Sequence, residues 1–271
     1  METALDGQSP SNLTVETLPP SKLGTHEYWD LTYGRELESF EDIGDEGEVW
    51  FGEVSSDEIL DWIARYLPPP TTPTTPITFS ELEAAQDHSR PDSKSQHILD
   101  VGCGNGQLLF LLAQGGFPVS CLSGIDYVAS SIELTSRIAK SKGIDGLRLE
   151  VKDILRDKIE LPSRPRKRHG IDREGWDLIT DKGTFDAICL SDEMLDGKKL
   201  CKHYPGRISN LLAKPGGIFL ITSCNWTEQE LISTFVTEET GLRYHSKIPR
   251  TSFTFGGTQG TTITTIAFQL A

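Results

Sequence analysis

The chain has 271 residues, of which 37% are hydrophobic, and a formal net charge of -14. That length allows one large domain with a substantial core and does not require two. No apolar run approaches the roughly 20 residues of a membrane-spanning helix, and the polar residues 1–20 do not resemble a secretory signal. Five cysteines at irregular spacing, without a Cys-x-x-Cys pair, argue against a zinc site or a disulfide framework. We therefore expect a cytoplasmic protein that does not act at a membrane.

The negative charge is concentrated near the N-terminus. Residues 1–60 carry 15 acidic and two basic side chains, whereas residues 61–271 carry 25 acidic and 24 basic ones. Such a segment repels the phosphates of nucleic acids, so we expect no nucleic acid ligand, and it attracts a cationic partner. Residues 1–20 are polar enough to form a disordered tail, whereas apolar and aromatic residues are interleaved among the acids from Glu36 to Glu58.

Two helices are predicted in the N-terminal region. Thr25 is a suitable cap for the first helix, whose apolar residues recur at every fourth position from Trp29. An acidic loop that contains glycine is expected to follow, from Glu41 to Gly47. Ser55 and Glu58 form a capping-box pattern, which predicts that the second helix begins there.

From His97 onward, predicted strands and helices alternate. The first five predicted strands are Ile98–Val101, Val119–Ile125, Leu147–Lys152, Trp176–Thr180 and Ile218–Ser223. Two further strand-like segments, near residues 242–246 and 262–270, have no helix between them. The alternation predicts an α/β fold, a Rossmann-like, doubly wound and mostly parallel sheet with helices on both faces. The last two segments predict a C-terminal antiparallel hairpin at the sheet edge, which gives seven strands.

Two segments interrupt this pattern. Residues 68–96 are rich in proline and threonine, and residues 157–174 contain a basic run from Arg164 to His169. Both are predicted to be surface insertions within one domain over residues 21–271, not domain boundaries. The basic run could pass for a nuclear-localisation or nucleic-acid patch, but a proline-broken loop in an acidic chain favours a solvated insertion.

The residues that end the predicted strands should surround the ligand, because an open α/β sheet binds its ligand beyond the carboxyl ends of its strands. The first strand runs into Asp100-Val101-Gly102-Cys103-Gly104-Asn105-Gly106. Three alternate glycines allow a tight turn and a close approach of the backbone to a ligand. Gln107 stands where the dinucleotide pattern has its third glycine, which disfavours a nicotinamide or flavin oxidoreductase. Asp100 also suits a cationic ligand better than a pyrophosphate.

Acidic residues end the second and third predicted strands as well. Asp126, 22 residues after Gly104, can accept hydrogen bonds from two ribose hydroxyls and is followed by Tyr127. Asp153 could accept from an adenine amino group, and Ile154 could cover the ring. Each residue alone also fits a turn or a helix cap. Their order at the tips of three successive strands favours a nucleoside-binding site.

This set of residues resembles the seven-stranded S-adenosylmethionine-dependent methyltransferases, over His97 to Leu270. Three N-terminal segments narrow the resemblance to the fungal-type translation elongation factor 1-alpha lysine methyltransferases: Ser21–Asp30, Arg35–Phe40 and Gly44–Gly52. The segment Asp177–Asp186, which contains Asp181-Lys182-Gly183-Thr184, is similar to the fourth-strand motif of that family. The two insertions depart from the family pattern.

The resemblance implies that S-adenosyl-L-methionine is the cofactor and that a protein lysine, in elongation factor 1-alpha, receives its methyl group. Metal is not required, and we expect a monomer. The implied cofactor-binding residues include the glycine loop, Asp126, Tyr127, Asp153, Ile154 and Asp181. Asp181 is also the candidate that orients the amine, or else a cap that holds the Lys182-Gly183 turn. Trp29, Tyr33 and Trp50 are candidates for a lid over the cofactor, or else they pack the first helix onto the domain.

Alternatives of other classes remain open. A methyltransferase that acts on another protein, a small molecule or a nucleic acid would share the whole cofactor half. Asp181-Lys182-Gly183-Thr184 in place of Asn-Pro-Pro-Tyr disfavours the nucleic acid version. A non-catalytic module that only binds S-adenosylmethionine would be expected to have lost part of the glycine loop, which is intact here.

Overall fold

A computed structural model describes residues 18–67, 96–162, 174–250, 253–255, 258–260 and 263–271. The predicted tail therefore lies outside the described residues as far as residue 17. The predicted insertion at 68–96 lies outside them except for Gln96, and so does the basic run of the second insertion. Residues 157–162 of that second insertion are described, and the Ile159 side chain is buried in the core.

Seven strands form one sheet, and all neighbours are parallel except at the last strand along the chain. The strands are β1 (Ile98–Val101), β2 (Leu122–Asp126), β3 (Arg148–Val151), β4 (Leu178–Lys182), β5 (Ile218–Ser223), β6 (Leu242–Lys247) and β7 (Thr264–Leu270). Their order in the sheet is β3-β2-β1-β4-β5-β7-β6. β7 lies antiparallel between β5 and β6, which confirms the predicted C-terminal hairpin. The order reverses between β1 and β4, where a ligand site is expected.

Seven α-helices accompany the sheet in the described part of the chain. They are α1 (His26–Ile43), α2 (Glu53–Tyr66), α3 (Gln107–Gln114), α4 (Ala129–Ser141), α5 (Thr184–Cys189), α6 (Tyr204–Leu211) and α7 (Glu228–Phe235). Short 3-10 helices occur at 22–24, 119–121 and 200–202. One two-stranded ribbon lies at 194–199, and another pairs residues 253–255 with 258–260. None of the described helices is long and apolar enough to cross a bilayer.

Several predicted boundaries need correction. α1 continues to Ile43 and ends at Gly44, which has a φ of 76°, so the predicted loop from Glu41 begins too early. α2 begins at Glu53, so the capping box predicted at Ser55 is wrong: Ser55 lies buried inside the first turn and accepts a hydrogen bond from Arg250. Residues 119–121 form a 3-10 helix instead of the start of β2.

The two faces of the sheet bury separate apolar clusters, as alternation along the strands requires. On one face, Leu99 and Phe219 pack with rings from α5, α6 and α7, among them Phe185, Tyr204 and Phe235. On the other face, side chains of α2 and α3 cover Ile98, Leu178 and Ala267. A third cluster joins α1 to α4. α1 is thereby fixed beside the carboxyl ends of β1 and β2.

Candidate functional site

A cavity of about 230 Å³ lies at the carboxyl ends of the strands, against the point where the strand order reverses. Its volume far exceeds the roughly 30 Å³ share of one water molecule, so it is large enough for an organic ligand. Residues that follow β1, β2, β4 and β5 form its floor. The N-terminal segment and the loop after α5 form its cover.

The glycine loop after β1 makes the closest approach to the cavity. Gly102 and Gly104 have φ values of 65° and 57°, which favour glycine. A Cβ added at Gly102 would lie 2.1 Å from Thr184 Oγ1, and one at Gly104 would lie 2.6 Å from Tyr33 Oη. The loop conformation and its neighbours therefore both require glycine. Gly106, by contrast, does not line the cavity: it precedes α3, and its Cβ would meet Thr135.

Other side chains of this loop have distinct environments. Asp100 lines the cavity, and its Oδ1 accepts a 2.7 Å hydrogen bond from Thr180 Oγ1. Burial raises the pKa of Asp100 to about 6, against the opposing effects of that bond and of the Lys182 charge. The Cys103 thiol is buried, and burial raises its pKa. The Asn105 amide donates to the carbonyl oxygens of Glu46 and Glu48 at 3.0 and 3.2 Å.

Asp126 ends β2 and faces the same cavity. Its carboxylate accepts hydrogen bonds from the backbone N–H groups of Gly104 at 3.1 Å and Val128 at 3.0 Å. Burial raises the pKa of Asp126, while these bonds lower it. Each carboxylate oxygen keeps lone pairs for further donors. Tyr127 lies beside it in the wall, with its ring 4.8 Å from that of His26.

Asp153 and Ile154 reach the cavity after β3. Asp153 Oδ1 accepts from the Leu155 N–H at 2.8 Å, and Oδ2 pairs with Arg156 at 2.7 Å. Arg156 also pairs with Glu193 at 2.6 Å, which joins this tip to the loop that covers the cavity. The Ile154 side chain is buried and lines the wall with an apolar surface.

Three aromatic residues from the N-terminal segment cover the cavity. Trp29 and Tyr33 stack at 5.9 Å, and Trp29 meets Trp50 edge-on at 5.2 Å between ring centroids. Trp29 Nε1 donates to the Leu23 carbonyl at 2.8 Å. Trp50 Nε1 is buried without a hydrogen-bond partner among the described residues. Trp29 and Tyr33 pack α1 against α4, and all three rings line the cavity. A role of these rings as a lid over the cofactor stays a prediction.

Asp181 is placed differently from what its sequence position suggests. It does not line the cavity, and its buried carboxylate accepts from the N–H groups of Thr184 and Phe185 and from Tyr204 Oη at 2.6 Å. The side chain points to the face of the sheet that α6 covers, away from that of Asp100 and Lys182. This geometry favours the alternative reading, a carboxylate that holds the turn into α5, over contact with cofactor or amine.

The cavity also includes residues that the sequence did not single out as functional. Asp186 and Lys182 line it from the fourth-strand motif, Asn225 and Cys224 from the end of β5, and Phe51 from the segment before α2. The first two lie in the motif on which the family resemblance rests, so that motif was the available signal. Cys224 and Asn225 follow the fifth predicted strand, so the rule that strand ends surround the ligand was the available signal for them, and Phe51 lies within the segment Gly44–Gly52 that carries the resemblance.

The strand order, the glycine loop and the Asp126 carboxylate at the end of β2 together define the class of S-adenosylmethionine-dependent methyltransferases. In keeping with that class, the sequence pattern of a family described as a methyltransferase domain matches residues 92–266. A solved S-adenosylmethionine-dependent methyltransferase from Clostridium acetobutylicum superposes with a TM-score of 0.53 at 14% identity, covering 88% of this chain and 98% of that one. At that identity the likeness concerns the fold.

Proteins with similar sequences and a stated activity narrow this class to one family. The protein-lysine N-methyltransferase efm4 of Schizosaccharomyces pombe is 40% identical over 258 residues, which cover 93% of this chain and 96% of that protein. The EEF1A lysine methyltransferase 2 of Danio rerio is 37% identical over 264 residues, which cover 97% of this chain and 94% of that protein. The human EEF1A lysine methyltransferase 2 is 36% identical, over 92% of this chain and 87% of that protein. The chain belongs to this family of protein-lysine methyltransferases.

Proposed function

We propose that this protein transfers a methyl group from S-adenosyl-L-methionine to a lysine side chain of translation elongation factor 1-alpha. The observation that carries the proposal is the cavity where the strand order reverses, built from a glycine loop and the Asp126 tip. The substrate follows from the relatives, which are similar over more than nine tenths of the chain.

The residues around the cavity fit this cofactor. Gly102 and Gly104 let the loop backbone pass close against Thr184 and Tyr33 in the cavity wall, and Asp126 has acceptor capacity for ribose hydroxyls. Ile154 offers an apolar surface for adenine. Asp100 and the aromatic rings of the N-terminal segment suit a cationic amino-acid end. When bound, S-adenosylmethionine supplies an electrophilic methyl group on a sulfonium.

The protein must deliver the lysine as a neutral amine. Deprotonating a lysine ammonium group with a pKa of about 10.4 costs roughly 4.6 kcal/mol at pH 7. Desolvation beneath the aromatic cover and a proton acceptor near the amine offset this cost. Asp186 is that acceptor: its buried carboxylate lines the cavity and accepts from Ser223 Oγ at 2.6 Å and the Cys224 N–H at 2.9 Å. Burial raises its pKa, which favours taking up a proton.

The acidic N-terminal segment supports a basic protein as partner. Exposed acids such as Asp42, Glu53 and Asp57 flank the cover of the cavity. A cytoplasmic location fits a substrate of the translation machinery.

The test is transfer of labelled methyl from S-adenosylmethionine to purified elongation factor 1-alpha, followed by mapping of the labelled residue. We expect label on one lysine, lost with Asp126→Ala and kept with Asp145→Ala, an exposed carboxylate away from the cavity. If the factor stays unlabelled while the cofactor raises the melting temperature, the substrate assignment is wrong. If the cofactor does not bind either, the function itself is wrong.

A further inference from the structure

The segment between α1 and α2, residues 44–52, crosses the mouth of the cavity, and we call it the strap. Its residues Glu48, Trp50 and Phe51 line the cavity. The Asn105 amide anchors the first half of the strap, because it donates hydrogen bonds to the Glu46 and Glu48 carbonyls at 3.0 and 3.2 Å. The strap is therefore tied to the glycine loop at one end.

The other end of the strap has an unfavourable backbone conformation. Phe51 has a φ of 66°, a value that costs free energy for a residue with a bulky side chain. Such a conformation persists only where neighbouring groups hold it. Gly183 supplies one such contact, because a Cβ added there would lie 2.8 Å from the Phe51 ring. Lys182 supplies the other, donating from Nζ to the Trp50 carbonyl at 3.0 Å.

Lys182 is an unusual residue for this position. Its ammonium group is part-buried in the cavity wall, 6.0 Å from the centre of the Phe51 ring, and Asp100 is its charged neighbour. Burial lowers the pKa of Lys182, whereas the Asp100 charge raises it. Burying a lysine is costly unless its charge is compensated and its donors are used. The Trp50 carbonyl and the Asp100 charge together meet that requirement.

We infer that Lys182 is a positioning residue that fastens the strap, and with it the Trp50 ring, over the cofactor cavity. Trp29 and Trp50 both cover the cavity, but Trp29 belongs to α1, whereas Trp50 belongs to the strap. Because Lys182 Nζ donates to the Trp50 carbonyl, the position of the Trp50 ring depends in part on this hydrogen bond.

This inference rests on the proposed cofactor site but has a consequence without cofactor. Loss of the Lys182 ammonium removes the hydrogen bond to Trp50 and one of the contacts that hold Phe51. The strap then opens more often even in the empty protein. Because the strap covers the cavity, bound cofactor also dissociates faster. The groups that face the substrate amine are unchanged.

The experiment compares Lys182→Met, Lys182→Arg and Lys140→Met, the last being the same change at an exposed lysine of α4. Amide hydrogen exchange is measured for the strap in cofactor-free protein, and dissociation of S-adenosylhomocysteine is followed by tryptophan fluorescence. Lys182→Met should accelerate both by about tenfold. Lys182→Arg, which keeps a cationic donor, should restore most of the protection, and Lys140→Met should match the wild type.

Two results would overturn the inference. If Lys182→Met weakens cofactor binding while strap exchange stays at the wild-type rate, Lys182 contacts the cofactor directly. If neither quantity changes, Lys182 has no positioning role. A wild-type protein that binds no S-adenosylhomocysteine would refute the proposed function, and the exchange measurement would still decide whether Lys182 holds the strap.

One further variant keeps the test decisive should Lys182→Met fold poorly. Phe51→Ala removes the ring that Gly183 and Lys182 contact but leaves the Lys182–Asp100 pair, so it should raise strap exchange in the same direction. Strap exchange at the wild-type rate in Phe51→Ala would show that these contacts do not hold the strap.

Discussion

Asp181 and Asp186 lie five positions apart in one short motif, yet their surroundings differ. Asp181 accepts from two backbone N–H groups and from Tyr204, outside the cavity, and burial raises its pKa to about 7. Asp186 lines the cavity and accepts from the end of β5. The first carboxylate therefore holds the turn into α5, while the second is available to a ligand.

The raised pKa of Asp181 makes a prediction for stability. An aspartate in the unfolded chain has a pKa of about 3.9, whereas the folded value is about 7. The folded state thus binds a proton that the unfolded chain releases, and this stabilisation is complete below pH ~4 and lost as the pH rises through about 7. Urea unfolding should show a smaller difference between pH 5.5 and pH 8 for Asp181→Asn than for the wild type. Asp145→Asn, at an exposed carboxylate, should keep the wild-type difference, and an unchanged Asp181→Asn would contradict the assignment.

Asp186→Asn should act on the reaction instead. An amide accepts no proton at neutral pH, so kcat should fall by at least about tenfold, as for loss of a general base. Binding of S-adenosylhomocysteine, measured by calorimetry, should stay near the wild-type value because Asp186 is not among the residues proposed to hold the cofactor. Equal kcat for Asp186→Asn and wild type would show that another group receives the proton.

At the scale of elements, two capping-box patterns had opposite outcomes. Thr227 and Glu230 form a capping box at α7: the Glu230 N–H donates to Thr227 Oγ1 at 3.3 Å, and the Thr227 N–H donates to Glu230 Oε2 at 2.8 Å. The same pattern at Ser55 is not a cap, because Gly52 lets the chain enter α2 at Glu53. A local pattern predicts a cap only where the chain before it is not already helical.

The α7 cap can be tested by Thr227→Ala. The substitution leaves an orphan N–H in the first turn of a helix that buries Leu231 and Phe235, and it should cost about 1 kcal/mol of unfolding free energy. Chemical denaturation measures this loss, and methyl transfer should be unaffected because the cap does not line the cavity. Ser136→Ala, an exposed change within α4, should be neutral. A loss no greater than that of Ser136→Ala would mean that the cap contributes nothing.

At the scale of the whole molecule, the excess negative charge is concentrated in residues 1–60 of the chain. Some N-terminal acids are neutralised within the chain: Glu41 pairs with Arg137, Glu46 with Lys142 at 2.5 Å, and Glu58 with Arg250 at 2.5 Å. Exposed acids that flank the strap remain available to a partner. Attraction between such acids and a basic protein raises the association rate and is screened by salt.

We therefore expect the variant Asp42→Asn/Glu53→Gln/Asp57→Asn to have a higher KM for the protein substrate and an unchanged kcat. The difference from the wild type should shrink as salt is raised, while the Kd for cofactor stays constant. Neutralising Glu238 and Glu239, exposed acids after the far end of α7, is the matched control. A KM that does not depend on salt would show that these acids are merely solvated.

The sequence by itself determined the sheet, the glycine loop and the carboxylates at the tips of β2 and β3. These features depend on local periodicity and on strand ends that must meet at one edge of a parallel sheet. Only the tertiary structure decided which residue of the fourth-strand motif enters the cavity, because side chains alternate across a strand and a shift of one residue exchanges the faces. The strap over the cavity, held by Asn105 and Lys182, likewise depends on contacts between residues far apart in the chain, and no local pattern encodes such contacts.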